Sequence, residues 1–121
     1  MQIIKSPRNS ISDPIVSIVI VNYNAGRLLQ TCLDSIAGQT FQGYEVIIVD
    51  NASSDNSLAN IPECRNVTIQ RNHVNVGFAA GQNQGMHSAR GSYLMALNFD
   101  VVMTPTFLEE MVAPMESWPV V

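Results

Sequence analysis

The sequence is short of charge, and of lysine above all. Charged side chains make up 13% of its 121 residues, and a single lysine, Lys5, stands near the N-terminus. That excludes a P-loop lysine and leaves Schiff-base chemistry without a well-placed amine. The net charge is −4, so the basic stripe of a nucleic-acid-binding surface is missing. The two cysteines, Cys32 and Cys64, form no CxxC pair and read as buried or incidental thiols of a reducing compartment. The strongest apolar run, Ile15 to Val21, is far shorter than the roughly 20 residues of a membrane-spanning helix. Ser6-Pro7-Arg8-Asn9-Ser10 interrupts any signal-like start. The expectation is a cytoplasmic protein with a flexible arm over residues 1–13.

Hydrophobic residues, at 46%, are enough for one domain over residues 14–121. Ile15 to Val21 reads as a strand by its β-branched density. The polar loop Asn22-Tyr23-Asn24-Ala25-Gly26 follows. Leu28, Leu29, Cys32, Leu33 and Ile36 then recur as one face of a helix closed by Gly38. Tyr44 to Asp50 is a second strand, with an unbroken apolar run from Val46 to Val49 suited to burial on both faces. Asp55 or Ser54 is placed to cap a short helix around Ser57 to Asn60, broken by Pro62. Val67 to Ile69 reads as a third strand, Phe78 to Ala89 as a helix, and Tyr93 to Leu97 as a fourth strand. A last helix has Pro105 in its first turn and Phe107, Leu108, Met111, Val112 and Met115 inward. Gly81 and Gly85 cost the middle helix roughly 1 kcal/mol each relative to alanine, which implies close approach of another backbone or a ligand. Alternating strands and helices predict an α/β three-layer sandwich with a mainly parallel sheet. Trp118 to Val121 reads as the start of a further strand, cut short, so the chain is expected to be part of a larger domain.

Four polar clusters follow the strands: Asn22-Tyr23-Asn24, Asp50-Asn51, the Asn72 to Gly81 loop, and Asn98-Phe99-Asp100. In a parallel sheet these ends share one edge, where such folds bind ligands. Asp50 alone reads equally as a turn cap or a ligand group. No GxGxxG follows the first strand, which argues against a dinucleotide. The acidic pair and lysine of a phosphorelay receiver are also missing. Asp100, an isolated carboxylate, suits a hard cation such as Mg2+ or Mn2+ that takes its other ligands from phosphates and water. Asp50 can accept from the imide N–H of a uracil or thymine, and Tyr23 offers a ring for stacking. His73 and His87 have no partner at metal-ligand spacing, and Arg71 and Arg90 suit a diphosphate no better than a solvated or capping role.

Val16 to Asn24, Tyr44 to Ser57, Asn75 to Asn83 and Leu97 to Val101 together resemble the donor-binding portion of family 2 glycosyltransferases, which have the GT-A (nucleotide-diphospho-sugar transferase) fold. The resemblance covers about residues 15–118. It implies that Tyr23, Asn24, Asp50, Asn51, Gly77, Asn83 and Asn98 hold the nucleotide, with Asp50 reading the base. Asp100 then matches the last acid of an Asp-x-Asp metal motif whose first position is Asn98 here. The implied reaction transfers a sugar, with inversion, from a UDP- or dTDP-sugar to an acceptor hydroxyl of a glycan or lipid-linked glycan of the cell envelope. No residue of the chain matches the family's general base, which is expected beyond Val121. The full-length protein is then expected at the inner face of the cell membrane as a peripheral partner. A non-catalytic nucleotide-binding domain of the same fold is the alternative reading.

Overall fold

The computed structural model describes residues 1–5, 13–61 and 66–115. The strands are β1 (Gln2–Lys5), β2 (Val16–Asn22), β3 (Tyr44–Asp50), β4 (Val67–Arg71) and β5 (Tyr93–Ala96), and the helices are α1 (Arg27–Ala37), α2 (Phe78–Ser88) and α3 (Phe107–Met115). They form one sheet in the order β1-β5-β2-β3-β4. The β5, β2, β3 and β4 strands run parallel, and β1 is antiparallel to β5. β2 and β3 are buried along their whole length, as their continuous apolar runs require when helices cover both faces.

Alternation along the strands sorts the core into two layers. Ile18, Ile20, Val46 and Ile48 face α1 and α3 with Leu29, Cys32, Ile36, Leu108, Val112 and Met115. Val19, Ile47 and Val49 face α2 with Ala89, Met86 and Leu94. The expected inner face of the last helix is thus confirmed, although Pro105 lies two residues before α3 begins. Met95 and Met103 are also buried, as core filler.

Three expectations need correction. Gln2–Lys5 are not part of a flexible arm: they pair with Tyr93 to Ala96 as an edge strand, because Ile3 packs on the core. Residues 6–12 lie outside the described residues, as do Pro62, Cys64 and Trp118 to Val121. No helix forms at Ser57 to Asn60, which is a run of turns. Ser57 there turns its hydroxyl and N–H onto Asp55, a local bond that competes with helix formation. Finally, what comes close to Gly81 and Gly85 is not another backbone but the valine side chains of the sheet. A Cβ on Gly85 would stand 2.3 Å from Val19 Cγ1, and one on Gly81 3.2 Å from both Val21 methyls. The glycines let α2 lie flat on β2 and β3.

The chain runs outward from β2 through β3 to β4, then returns to place β5 on the other side of β2. Strand order therefore reverses between β2 and β5. In open parallel sheets that reversal opens a crevice at the carboxyl ends of the strands.

Candidate nucleotide-sugar site

All four polar clusters lie at the carboxyl edge of the parallel strands, as the sequence implied. β2 ends at Asn22 opposite Asp50, and Asp50 pairs in register with Arg71. Leu97 continues beside β2 with its N–H on the Val19 carbonyl at 3.0 Å, so Asn98 to Asp100 emerge at the same edge. Asn98 and Asp100 are exposed. Tyr23 is 49% exposed, so its ring is available for stacking.

The edge divides into two sides. On the α1 side the Asp50 carboxylate is buried and accepts from Asn22 Nδ2 at 2.8 Å, Ser53 Oγ at 2.7 Å and Ser53 N at 3.1 Å. Asn22 Nδ2 also reaches Ser57 Oγ at 2.9 Å. Asp50 thus holds together the turn that follows its own strand. The turn fills three of the roughly four lone-pair positions of the carboxylate, and Oδ2, which accepts from Ser53 N, keeps room for one further donor.

Asn24, in the left-handed region at φ 49°, links two loops. Its Oδ1 accepts from Ser54 N at 2.8 Å, and its own N–H donates to Ser53 Oγ at 2.9 Å. Asp55 completes this link by accepting from Gly26 N at 2.9 Å, so it serves the start of α1 rather than a helix of its own. Hydrogen bonds, first from the Ser57 hydroxyl and then from the Ser57 and Gly26 N–H groups, hold the Asp55 carboxyl below its ordinary value.

On the α2 side, Asn51 is buried and donates from Nδ2 to the Gly77 carbonyl at 3.0 Å. Its Oδ1 accepts from Asn72 Nδ2 at 3.0 Å, and Asn72 in turn pairs with Gln84. Asn51 therefore sets where α2 begins. Gly77, at φ 92°, makes the turn into the helix in a conformation suited to glycine. Asn83 is exposed on α2.

Asp100 lies close enough to α1 for its charge to act on Cys32. Burial, and secondarily Asp100, push the Cys32 thiol from 9.0 up to about 11. The loop from Asn98 to Thr104 runs along a stripe of α1 and the turn after it: Cys32 Sγ meets the Asn98 carbonyl at 3.9 Å, Ser35 Oγ accepts from Met103 N at 3.1 Å, and Gln39 Nε2 donates to the Thr104 carbonyl at 2.6 Å. Gln39 Oε1 also accepts from Leu108 N at 3.0 Å, which fixes α3. The sequence reading missed Ser35 and Gln39, since nothing in their spacing marks a partner more than sixty residues away.

Among the described residues, no three His, Cys, Asp or Glu side chains come together as a metal set. Asp100, exposed and followed by no second acid, fits a divalent ion that draws most of its ligands from phosphate and water. Arg90 is not near this edge. Its backbone N–H and Nε bind the buried Glu45 at 2.7 and 3.4 Å, and Glu45 lies at the opposite end of the sheet with Ser17. The clefts of about 340 and 440 Å³ are likewise remote, one under α1 and one beside Glu45. A third, about 520 Å³, adjoins Gly26, Arg27 and Asp55 on the α1 side of the edge.

Comparison with known proteins agrees with this architecture. The sequence model described as "Glycosyl transferase family 2" matches residues 17–121. An uncharacterized glycosyltransferase of Haemophilus influenzae is 28% identical over 108 residues, covering 86% of this chain and 33% of the relative. Glycosyltransferase GlyG of Streptococcus pneumoniae is 33% identical over 102 residues, covering 78% of this chain and 33% of the relative. The chain thus spans about a third of the length of these relatives. Among solved structures, S. aureus TarS 1-349 in complex with UDP-GlcNAc superposes with a TM-score of 0.79 at 23% identity, over 84% of this chain and 31% of that one. The mannosyltransferase PcManGT from Pyrobaculum calidifontis, in complex with GDP-Man and Mn2+, gives 0.76 at 21% identity, over 96% and 36%. The fold is GT-A, and the chain belongs to glycosyl transferase family 2.

Proposed function

We propose that this chain supplies the donor and metal site of an inverting glycosyltransferase that moves a sugar from a UDP- or dTDP-sugar to an acceptor hydroxyl of an envelope glycan. The observation that carries this reading is the convergence of Tyr23, Asn51, Gly77, Asn98 and Asp100 on one sheet edge, at the point where strand order reverses. Support comes also from the nucleotide-sugar complexes of TarS and PcManGT.

In this reading the exposed Tyr23 ring stacks on the base. Asn51 and Asp50 hold the two walls of the pocket, α2 on one side and the Asn24–Ser53 turn on the other. Asp100 would hold Mg2+ or Mn2+ against the diphosphate, with the Asn98 amide beside it. When bound, the ion neutralises charge that builds on the leaving diphosphate. The acceptor oxygen attacks the anomeric carbon as the bond to the diphosphate breaks, and a general base takes the hydroxyl proton. None of the described residues is assigned as that base. Glu109 and Glu110 lie in the first turn of α3, where a carboxylate interacts favourably with the helix dipole, and His73 and His87 are exposed.

Titration calorimetry with UDP, dTDP, GDP and ADP in the presence of Mn2+ tests the assignment. Binding of UDP or dTDP in preference to the purine nucleotides is the expected result. No heat with any of them, or a preference for ADP, would refute it.

A further inference from the structure

Asp100 stands on a loop that the sheet holds at one end only. Leu97 still pairs with β2 through its N–H on the Val19 carbonyl at 3.0 Å, but from Asn98 to Thr104 the backbone is neither strand nor helix. Among the described residues, one backbone bond lies within that stretch, from Val101 N to the Asn98 carbonyl at 3.2 Å. Phe99, Val101 and Met103 pack on the core, so Asp100, between the first two, is turned outward and exposed. The far end of the loop is held by α1 and the turn after it.

Two side chains make that hold. Ser35 Oγ accepts from Met103 N at 3.1 Å and donates to the Cys32 carbonyl at 2.7 Å. Gln39 is 3% exposed and uses both ends of its amide. Its Nε2 donates to the Thr104 carbonyl at 2.6 Å and to the Ser35 carbonyl at 3.1 Å, and its Oε1 accepts from Leu108 N at 3.0 Å. An amide is the neutral side-chain group that offers N–H donors and a carbonyl acceptor together. A carboxylate could not donate to Thr104, and an aliphatic chain could bind neither partner. The Thr40 N–H adds a bond to the Pro105 carbonyl at 2.9 Å. The end of α1 thus fixes both the exit of the loop and the start of α3.

We propose that Gln39, with Ser35, is a positioning residue for the metal site: by holding Met103 and Thr104 it sets where Asp100 stands against the diphosphate. This rests on the donor and metal reading above. A site with one protein carboxylate has no second ligand to correct a misplaced first one. The ion takes its remaining ligands from phosphate and water, so its place depends on the loop that carries Asp100. Neither Ser35 nor Gln39 would touch the ion or the nucleotide. Support of this indirect kind is worth roughly ten- to a hundredfold in metal affinity.

The test compares three variants of the full chain. Gln39→Met keeps the length of the side chain without its polar atoms, and Ser35→Ala removes the hydroxyl. Val112→Ala loosens the seat of α3 on the core and leaves all of these hydrogen bonds in place. Calorimetry measures UDP affinity with and without Mn2+, beside thermal melting. All three variants should melt below wild type. Gln39→Met should cut the strengthening by Mn2+ roughly tenfold while metal-free UDP affinity holds, and Ser35→Ala should cut it by a smaller factor. Val112→Ala should keep the whole strengthening. A Mn2+ effect of wild-type size in Gln39→Met, or in Ser35→Ala if Gln39→Met does not fold, would make these contacts structural only and overturn the proposal. Equal weakening with and without Mn2+ would overturn it too, as would a loss in Val112→Ala that matches Gln39→Met. If Asp100→Asn abolishes the strengthening and Gln39→Met keeps it, this inference alone falls; if the wild type binds no UDP, or binds it without strengthening by Mn2+, the donor and metal reading falls with it.

Discussion

Asp50 and Asn51 are adjacent in sequence and serve opposite sides of the sheet. Asp50 turns to the α1 side and binds Asn22 and Ser53, while Asn51 turns to the α2 side and binds Gly77 and Asn72. The side-chain alternation of β3 continues through its last residues, so two neighbouring polar groups fix two separate loops.

Asp50→Ala should therefore be a stability variant first. It strips three donors of their acceptor in a buried setting, at a cost of about 2–4 kcal/mol. Urea unfolding measures this directly. A loss of nucleotide binding with unfolding unchanged would instead make Asp50 a ligand group and not a structural one.

Gly85→Ala tests the close seat of α2. The new methyl would meet Val19, which is buried and stiff at its branched carbon. Overpacking of this kind costs about 1–3 kcal/mol, against roughly 1 kcal/mol of helix propensity gained. A net loss of stability, larger than that of Gly81→Ala, is expected in the same unfolding assay.

The fold was legible in the sequence where one side-chain period ruled a whole segment. β2, β3 and the inner face of α3 follow from apolar runs and spacing alone. The turns at Ser57 to Asn60 were not legible as such, because Asp55 and Ser57 suit a helix start as well as a local turn. Strand β1 was obscured for a different reason: its pairing with β5 is made ninety residues away, and Gln2–Lys5 carry little pattern of their own. At the site, strand-end polarity located Tyr23, Asn51, Asn98 and Asp100. Whether Asp50 faced a ligand or its own turn depended on Asn22 and Ser53, which sequence cannot orient.

Asp55 gives a pH signature. Its carboxyl is held below the ordinary 3.8 by Ser57 and Gly26, so the stabilisation it provides is complete above that pH and is lost as pH falls through the lower folded value. Thermal melting of wild type and Asp55→Asn from pH 7 to pH 2 should show a gap that closes at the acid end. A gap that persists unchanged at pH 2 would contradict the assignment.

Cys32 gives the opposite sign. Its thiol is raised from 9.0 to about 11, so its contribution is complete below pH 9 and is lost as pH rises through 11. Cys32→Val should melt with a shallower decline than wild type across that window. Asp100→Asn should bring the Cys32 value part of the way down, which ultraviolet thiolate titration in a Cys64→Ser background can follow.

The most direct test of the nucleotide-sugar and metal reading is calorimetry of UDP and dTDP, each with and without Mn2+, on wild type and Asp100→Asn. The account predicts that Mn2+ strengthens binding to the wild type at least tenfold, and that Asp100→Asn removes this gain while leaving metal-free binding in place. Nucleotide binding equally strong with and without Mn2+, or a gain that survives Asp100→Asn, would contradict it.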